Sequence, residues 1–136
     1  WAMRAAGYIS VEREDKKKAY QAFMEAIEKI KAGFSVVIFP EGTRSEDGQV
    51  APFKKGSHLL ALRSGTAMSP VTIVGSGKII KKGSGAVHPG SIRIVISPPV
   101  KPDKSHSRDE ADILEQIRIT IRNNLESASA GAQTAV

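Results

Sequence analysis

Two apolar segments near the start of the chain predict β-strands, and the residues between them predict a helix. Tyr8–Arg13 alternates its side chains between two faces, and Phe34–Phe39 is a short, β-branched run that ends at Pro40. Asp15–Ala32 repeats apolar residues at three- and four-residue spacing, and Gly33 follows as a natural stop. A strand, a helix and a strand in this order predict a βαβ unit with parallel strands.

The later apolar patterns predict two more strands and two more helices. Strands are predicted over Met68–Val74 and Ser91–Ser97, and a short helix over His58–Arg63. A final helix opens at a capping-box pattern, in which Ser107 offers a hydroxyl and Glu110 offers a carboxylate three residues later. Its apolar stripe is more typical of core packing than of a partner-binding face.

These elements predict one α/β domain over residues 1–126, with a mixed, largely parallel sheet flanked by helices. A flexible tail of small residues is predicted over 127–136. The chain has 136 residues, which is enough for a real core. Because it opens on Trp1 rather than on a methionine, we expect the sequence to start partway through a longer protein.

Composition favours anionic partners without choosing among them. Lys and Arg number 20 against 14 Asp and Glu, which gives a net charge of +6. The absence of cysteine excludes a disulfide framework, a thiolate nucleophile and a zinc–thiolate site. The apolar runs fall far short of the roughly 20 residues needed to cross a bilayer. Glu46 and Asp47 adjoin in a turn, where two acids are more often solvated than metal-bound, so no metal site is predicted.

The stretch that follows the second strand carries the densest chemistry. It reads Phe39, Pro40, Glu41, Gly42, Thr43, Arg44 and Ser45, and we call it the motif heptad. Pro40 suits a strand end and Gly42 a turn, and strand ends of α/β sheets are where ligands bind. The fork of Arg44 suits an oxyanion such as phosphate. The alternative is a polar turn in which Arg44 only pairs with Glu41.

Other basic residues lie where they could join the same site. Arg13 ends the first predicted strand, and Lys54 and Lys55 precede a predicted helix N-terminus, where cations and free backbone donors favour an anion. The alternatives are a solvated charge at Arg13 and an ordinary surface lysine pair. For Arg13 the two interpretations are about even, whereas closeness to the motif heptad favours an anion site for at least one lysine.

Together these segments resemble the sequence blocks of the glycerophosphate acyltransferases, most closely the 1-acylglycerol-3-phosphate acyltransferases. The motif heptad is similar to the third block, and it is specific by itself. Gly7–Arg13 resembles the second block, Phe53–Gly56 the basic segment after the third, and Ser69–Val71 the proline–valine entry of the fourth. Four matches in order span Gly7 to Val71, and beyond about Val100 only general character agrees.

The resemblance implies acyl transfer from acyl-CoA or acyl-carrier protein to the free hydroxyl of 1-acylglycerol 3-phosphate, in phospholipid biosynthesis. Arg13, Arg44 and Lys54 would bind the phosphate of this lysophosphatidic acid. The residues that would support the motif are Glu41, Gly42, Thr43, Ser45 and Pro70. No metal or redox cofactor is implied, and the acyl donor is a co-substrate. A peripheral membrane location on the cytoplasmic face is expected, and nucleic acid is not an expected partner.

One departure from the family pattern concerns catalysis. The family's first block, a histidine followed by four residues and an aspartate, supplies the general base and the group that orients it. Such a base typically contributes about 10²–10⁴-fold. The residues five positions after the three histidines are Arg63, Arg93 and Ala111, so the block is missing. We therefore expect an N-terminally truncated acyltransferase domain that is inactive alone.

Two alternatives compete with this interpretation. A non-enzymatic basic domain would bind anions or nucleic acid with a steep salt dependence, but the few aromatic residues are not interleaved with the basic ones, as base stacking requires. The other alternative is a chain that does not fold stably, because missing strands would expose sheet edges and apolar faces.

Overall fold

The structure is a computed structural model that describes residues 7–12, 15–81, 83–102 and 109–131. Within those ranges the chain forms helices and one small sheet. In chain order the elements are α1 (Lys16–Lys31), α2 (Lys55–Ser64), β1 (Val71–Val74), the single turn α3 (Ser76–Ile79), β2 (Arg93–Ile96) and α4 (Asp109–Gly131).

Helix α1 forms where the three- and four-residue spacing predicts it. The carboxylate of Asp15 caps its first turn and accepts hydrogen bonds from the backbone N–H groups of Lys17 and Lys18, at 2.9 and 3.1 Å. At the other end Gly33 takes a φ of +89°, which a side chain would resist, so the helix stops there. The prediction of this helix and of both its boundaries is confirmed.

Helix α2 is also confirmed, with slightly wider bounds than predicted. It ends at Ser64, and the next residue, Gly65, caps it in the left-handed conformation at φ +62°. The apolar face of α1 packs on this helix, and the buried residues of their contact are Ala26, Ile27 and Leu60. Ile9 and Phe23 pack on the same cluster, so the segment before α1 is held against this pair of helices.

Strands β1 and β2 form an antiparallel pair. Val71 lies opposite Ile96, and Val74 lies opposite Arg93. A bridge between Met68 and Val100 extends the pairing beyond the strand ends. Both strands lie within the segments predicted for them, but in the described part of the chain no parallel ladder accompanies them.

The prediction of strands over residues 8–13 and 34–39 has to be corrected. Neither segment forms a strand in the described ranges, and residues 13 and 14 lie outside those ranges. Phe34, Val37 and Phe39 are exposed, at 67%, 83% and 73%. The apolar character was read correctly, but a strand also needs a neighbouring backbone to complete its hydrogen-bond ladder, and no described segment pairs with residues 34–39.

Helix α4 covers one face of the sheet and joins it to the rest of the chain. Its buried side chains Ile113, Leu114 and Ile117 pack against a shell formed by Phe53, Met68, Val100 and Ile121. Asn124 donates to the hydroxyls of Thr72 and Ser97, at 3.2 and 2.9 Å, and so satisfies the buried Thr72.

The structure describes the C-terminal end of α4 but not its predicted start. Its predicted start at Ser107 lies outside the described residues, which resume at 109. The helix runs to Gly131 and buries Ala128, so helical structure reaches past the domain boundary predicted at residue 126. No helix in the described part of the chain is both long enough and apolar enough to cross a membrane.

Candidate functional site

The motif heptad forms a tight turn directly after residues 34–38. The N–H of Gly42 donates to the carbonyl of Phe39 at 3.0 Å, and Gly42 itself has a φ of +71°. This backbone conformation is accessible to glycine and costly for other residues. The turn predicted from Pro40 and Gly42 is therefore present, with glycine at the position that requires it.

The carbonyl of Pro40 ties the motif heptad to the start of α2. It accepts hydrogen bonds from the backbone N–H of Lys54, at 2.8 Å, and from the hydroxyl of Ser57, at 3.3 Å. Thirteen residues lie between positions 40 and 54, yet the two backbones are in contact. The loop after the motif thus folds back and brings the first turn of α2 to the motif turn.

Glu41 stabilises the same fold-back from the other side of the loop. Its carboxylate accepts the N–H of Ala51 at 2.9 Å. No ion pair joins Glu41 to Arg44 among the residues that the structure describes. A self-contained Glu41–Arg44 pair therefore does not account for this turn, and the guanidinium is exposed to solvent.

The remainder of the loop is closed by Asp47. Its carboxylate accepts the N–H of Gln49 at 2.9 Å and the hydroxyl of Ser45 at 2.8 Å. The hydrogen bond from Gln49, and then that from Ser45, lowers the pKa of the Asp47 carboxyl below its ordinary value. Ser45, predicted as motif support, is thus engaged within the loop.

The structure describes two of the three predicted phosphate ligands. Arg44 and Lys54 are both exposed, and the Pro40 contact holds the backbone of Lys54 at the motif turn. Arg13 lies outside the described residues. Thr43 is exposed, whereas Pro70 is buried at the entry to β1, where its carbonyl accepts the N–H of Ser97 at 2.9 Å. Across the described ranges no group of three or more His, Cys, Asp or Glu residues could hold a metal ion.

Arg118 of α4 contacts residues 46–53, the loop after the motif heptad, which we call the motif loop, and no sequence pattern predicted this contact. Its Nη1 donates to the carbonyl of Val50 at 3.5 Å, while Nε and Nη2 bind both carboxylate oxygens of Glu115 at 2.8 and 2.6 Å. The hydrogen bond from Arg118 lowers the pKa of Glu115, and the same bond raises that of Arg118. The spacing of the two residues could have suggested their pairing, but nothing local points to Val50.

Comparison with known proteins shows similarity over both sequence and fold. The family model described as Acyltransferase matches residues 1–74. A chloroplastic 1-acyl-sn-glycerol-3-phosphate acyltransferase of Brassica napus is 39% identical over 106 residues, covering 77% of this chain and 31% of that protein. The 1-acyl-sn-glycerol-3-phosphate acyltransferase of Borreliella burgdorferi is 33% identical over 121 residues, covering 89% of this chain and 48% of that protein.

A solved structure agrees with these relatives. The crystal structure of the 1-acyl-sn-glycerophosphate acyltransferase PlsC from Thermotoga maritima matches with a TM-score of 0.75 and 37% identity. The match covers 83% of this chain and 46% of that chain. The chain therefore spans between about a third and a half of the length of these similar proteins.

Proposed function

Because the chain belongs to the Acyltransferase family, we propose that it forms the acceptor-binding part of an enzyme that acylates 1-acylglycerol 3-phosphate. The acyl group would come from acyl-CoA or acyl-carrier protein, and the product would be a phosphatidic acid. The observation that carries the proposal is the contact of Lys54 with Pro40, which joins the motif turn to the start of α2. Two cationic side chains, those of Arg44 and Lys54, are thereby attached to one folded loop and exposed to an incoming ligand.

The start of α2 favours a phosphate electrostatically. A helix N-terminus carries a partial positive charge, and the first turn of α2 contains no acidic residue that would offset it. Lys54 is the N-cap residue of this helix, and it is exposed to solvent. The ammonium group can therefore act on an anion beside the helix. Arg44 adds a guanidinium whose fork matches phosphate oxygens. Arg13 is retained in the proposal as a third phosphate ligand.

The proposed reaction needs groups besides Arg44, Lys54 and Arg13, which together we call the phosphate clamp. The acceptor hydroxyl attacks the thioester carbonyl, a base takes the hydroxyl proton, and the thiolate leaves. A clamp on the acceptor phosphate contributes by holding that hydroxyl in position for attack. No histidine of this chain is followed at the required spacing by an aspartate. We propose that the base lies in another part of a longer protein, and that this chain alone does not turn over substrate.

The proposal also covers the sheet of the longer protein and its location at a membrane. The exposed apolar side chains of residues 34–39 suit a strand that pairs within a largely parallel sheet of the longer protein. A membrane-associated enzyme at the cytoplasmic face would meet its lipid acceptor at the bilayer surface. The net charge of +6 would favour contact with anionic lipid headgroups there.

The decisive experiment replaces the guanidinium in the full-length protein that contains this chain. In Arg44→Ala we expect the KM for 1-acylglycerol 3-phosphate to rise about 10- to 100-fold, since a hydrogen bond to a charged group is worth about 1.5–3 kcal/mol. The same assay with a monoacylglycerol, which lacks the phosphate, should show little difference between the variant and the unmodified protein. Lys54→Ala should shift the phosphate-bearing acceptor in the same direction.

Arg63→Ala is the matched control. Arg63 is an exposed cation in the last turn of α2, so its removal changes the net charge equally but at the far end of the helix from Lys54. Its KM should stay within about twofold of the unmodified protein. An equal loss in Arg63→Ala and Arg44→Ala would mean that only overall charge matters. An unchanged KM in Arg44→Ala would refute the phosphate clamp.

A further inference from the structure

A single peptide group of the motif loop is held from both sides. The carbonyl of Val50 accepts from Nη1 of Arg118 at 3.5 Å, and the N–H of Ala51 donates to the carboxylate of Glu41 at 2.9 Å. These two groups belong to the same peptide unit. A guanidinium on the carbonyl and a carboxylate on the N–H polarise that peptide in the same sense, so each contact strengthens the other.

The guanidinium that holds the carbonyl is itself fixed. Glu115 takes two of its nitrogens in a bidentate pair, which leaves Nη1 for the carbonyl of Val50. The side chain of Arg118 is only 21% exposed, so water competes weakly for it. A lysine at this position would offer one ammonium in place of a rigid fork and could not serve both partners with this geometry.

An apolar contact joins the next part of the loop to the same helix. Phe53 packs on the buried cluster that Ile113, Leu114 and Ile117 form on α4. Phe53 immediately precedes Lys54, whose N–H is bound by the carbonyl of Pro40. The segment from Val50 to Lys54 is therefore attached to the motif heptad at two points and to α4 at two others.

We propose that Arg118 is a positioning residue for acceptor binding, which fixes the Val50–Ala51 peptide and thereby sets where Lys54 stands relative to the motif heptad. The proposal rests on the acyltransferase function proposed above. Arg118 lies beyond the residues 1–74 that the family model matches, so the helix that carries it extends the site past the matched segment. Arg118 does not touch substrate in this proposal, and its effect passes through Glu41, the loop and Lys54.

The test uses the full-length protein and the variants Arg118→Met, Arg118→Lys and Glu115→Gln. Methionine keeps an unbranched apolar stem but removes every donor. We expect Arg118→Met to raise the KM for 1-acylglycerol 3-phosphate about 5- to 20-fold, with kcat changed less than about twofold, because ground state and transition state lose the same binding. The KM of Arg118→Lys should lie between those of Arg118→Met and the unmodified protein. Glu115→Gln should raise the KM by less than Arg118→Met does.

A second readout follows the peptide itself. Amide hydrogen exchange at Ala51 should quicken about two- to fourfold in Arg118→Met, since its bond to Glu41 loses the support of the polarised carbonyl. Arg122→Met is the control, because Arg122 is a cation one turn further along α4, close enough for its charge to lower the pKa of Glu115. Within the described part of the chain it makes no hydrogen bond to the motif loop, so neither readout should move.

The outcomes separate this proposal from the function on which it rests. If the unmodified protein transfers no acyl group to 1-acylglycerol 3-phosphate, the proposed function fails, and Ala51 exchange alone still decides whether Arg118 holds the peptide. If activity is present but Arg118→Met leaves either KM or Ala51 exchange unchanged, Arg118 is no positioning residue. A fall in kcat at constant KM, together with lower thermal stability, would indicate a merely structural role and would overturn the proposal as well.

Discussion

Gly42 shows how one residue type sets the shape of the motif turn. Its φ of +71° lies in the left-handed region, and the resulting turn places the carbonyl of Pro40 where Lys54 and Ser57 bind it. A Cβ in this conformation costs about 1–2 kcal/mol. The shape of this turn therefore depends on the φ torsion of Gly42.

Gly42→Ala should lower the free energy of unfolding by about 1–2 kcal/mol, as measured by urea denaturation of the full-length protein. Gly56→Ala is the matched control, because Gly56 lies in the first turn of α2, has no positive φ and has open space around the position of a new Cβ. That variant should be neutral or stabilised by up to about 1 kcal/mol. Equal destabilisation by both substitutions would contradict a torsional origin.

At the scale of elements, α4 is the support on which the sheet and the motif loop are assembled. One of its faces buries Ile117 at 6% exposure, next to Ile113 and Leu114, whereas Ile119 on another face is 36% exposed. The buried stripe packs on both Phe53 and Met68, so it joins the loop that leads to Lys54 with the segment that leads into β1. Loss of packing there should weaken both connections at once.

Ile117→Ala should reduce the free energy of unfolding by about 2–4 kcal/mol, because it removes buried methyl groups and leaves a cavity. Ile119→Ala, which deletes the same atoms from a partly exposed site, should cost less than about 1 kcal/mol. Chemical denaturation of the two variants in parallel provides the comparison. Similar losses in both would show that the stripe identified here is not the packed face of α4.

Sequence patterns predicted the helices better than the strands, for a physical reason. The bounds of α1 and α2 depend on Asp15, Gly33 and Gly65, which act on residues within one turn of themselves. A strand depends on a partner that is distant in sequence. Residues 34–39 have the composition of a strand, but in the described ranges they have no partner, so composition alone did not determine their structure.

The candidate site likewise combines features that short segments predict with contacts between residues distant in sequence. The motif turn and the closeness of Lys54 to it follow from short segments, and both are present in the structure. The role of Glu41 as an acceptor for Ala51 depends on how the loop folds back, and the contact of Arg118 with Val50 joins residues 68 positions apart. Contacts of this range are set by packing of α4 on Phe53, which no local pattern encodes.

Across the whole molecule, apolar surface is distributed unevenly. The helices bury their stripes, but Phe34, Val37 and Phe39 are largely exposed, as are Ile94 and Ile96 of β2. A free strand edge that carries apolar side chains readily adds another strand. This surface is consistent with the proposal that residues 34–39 pair within a sheet of a longer protein, and it makes self-association the expected behaviour of the 136-residue chain alone.

The Val37→Lys variant distinguishes the isolated chain from a longer protein in which residues 34–39 join a sheet. Val37 is 83% exposed here and would be buried in a completed sheet. In the isolated chain the new charge should reduce self-association, as measured by sedimentation, since charged residues on an edge oppose strand pairing. In the full-length protein it should lower the free energy of unfolding by at least about 2 kcal/mol, because the ammonium would have to be desolvated. Gln21→Lys adds the same charge on the exposed side of α1 and should leave the stability of the full-length protein unchanged. If Val37→Lys were equally harmless there, residues 34–39 would be solvent-exposed in the longer protein too, and the parallel-sheet proposal would have to be abandoned.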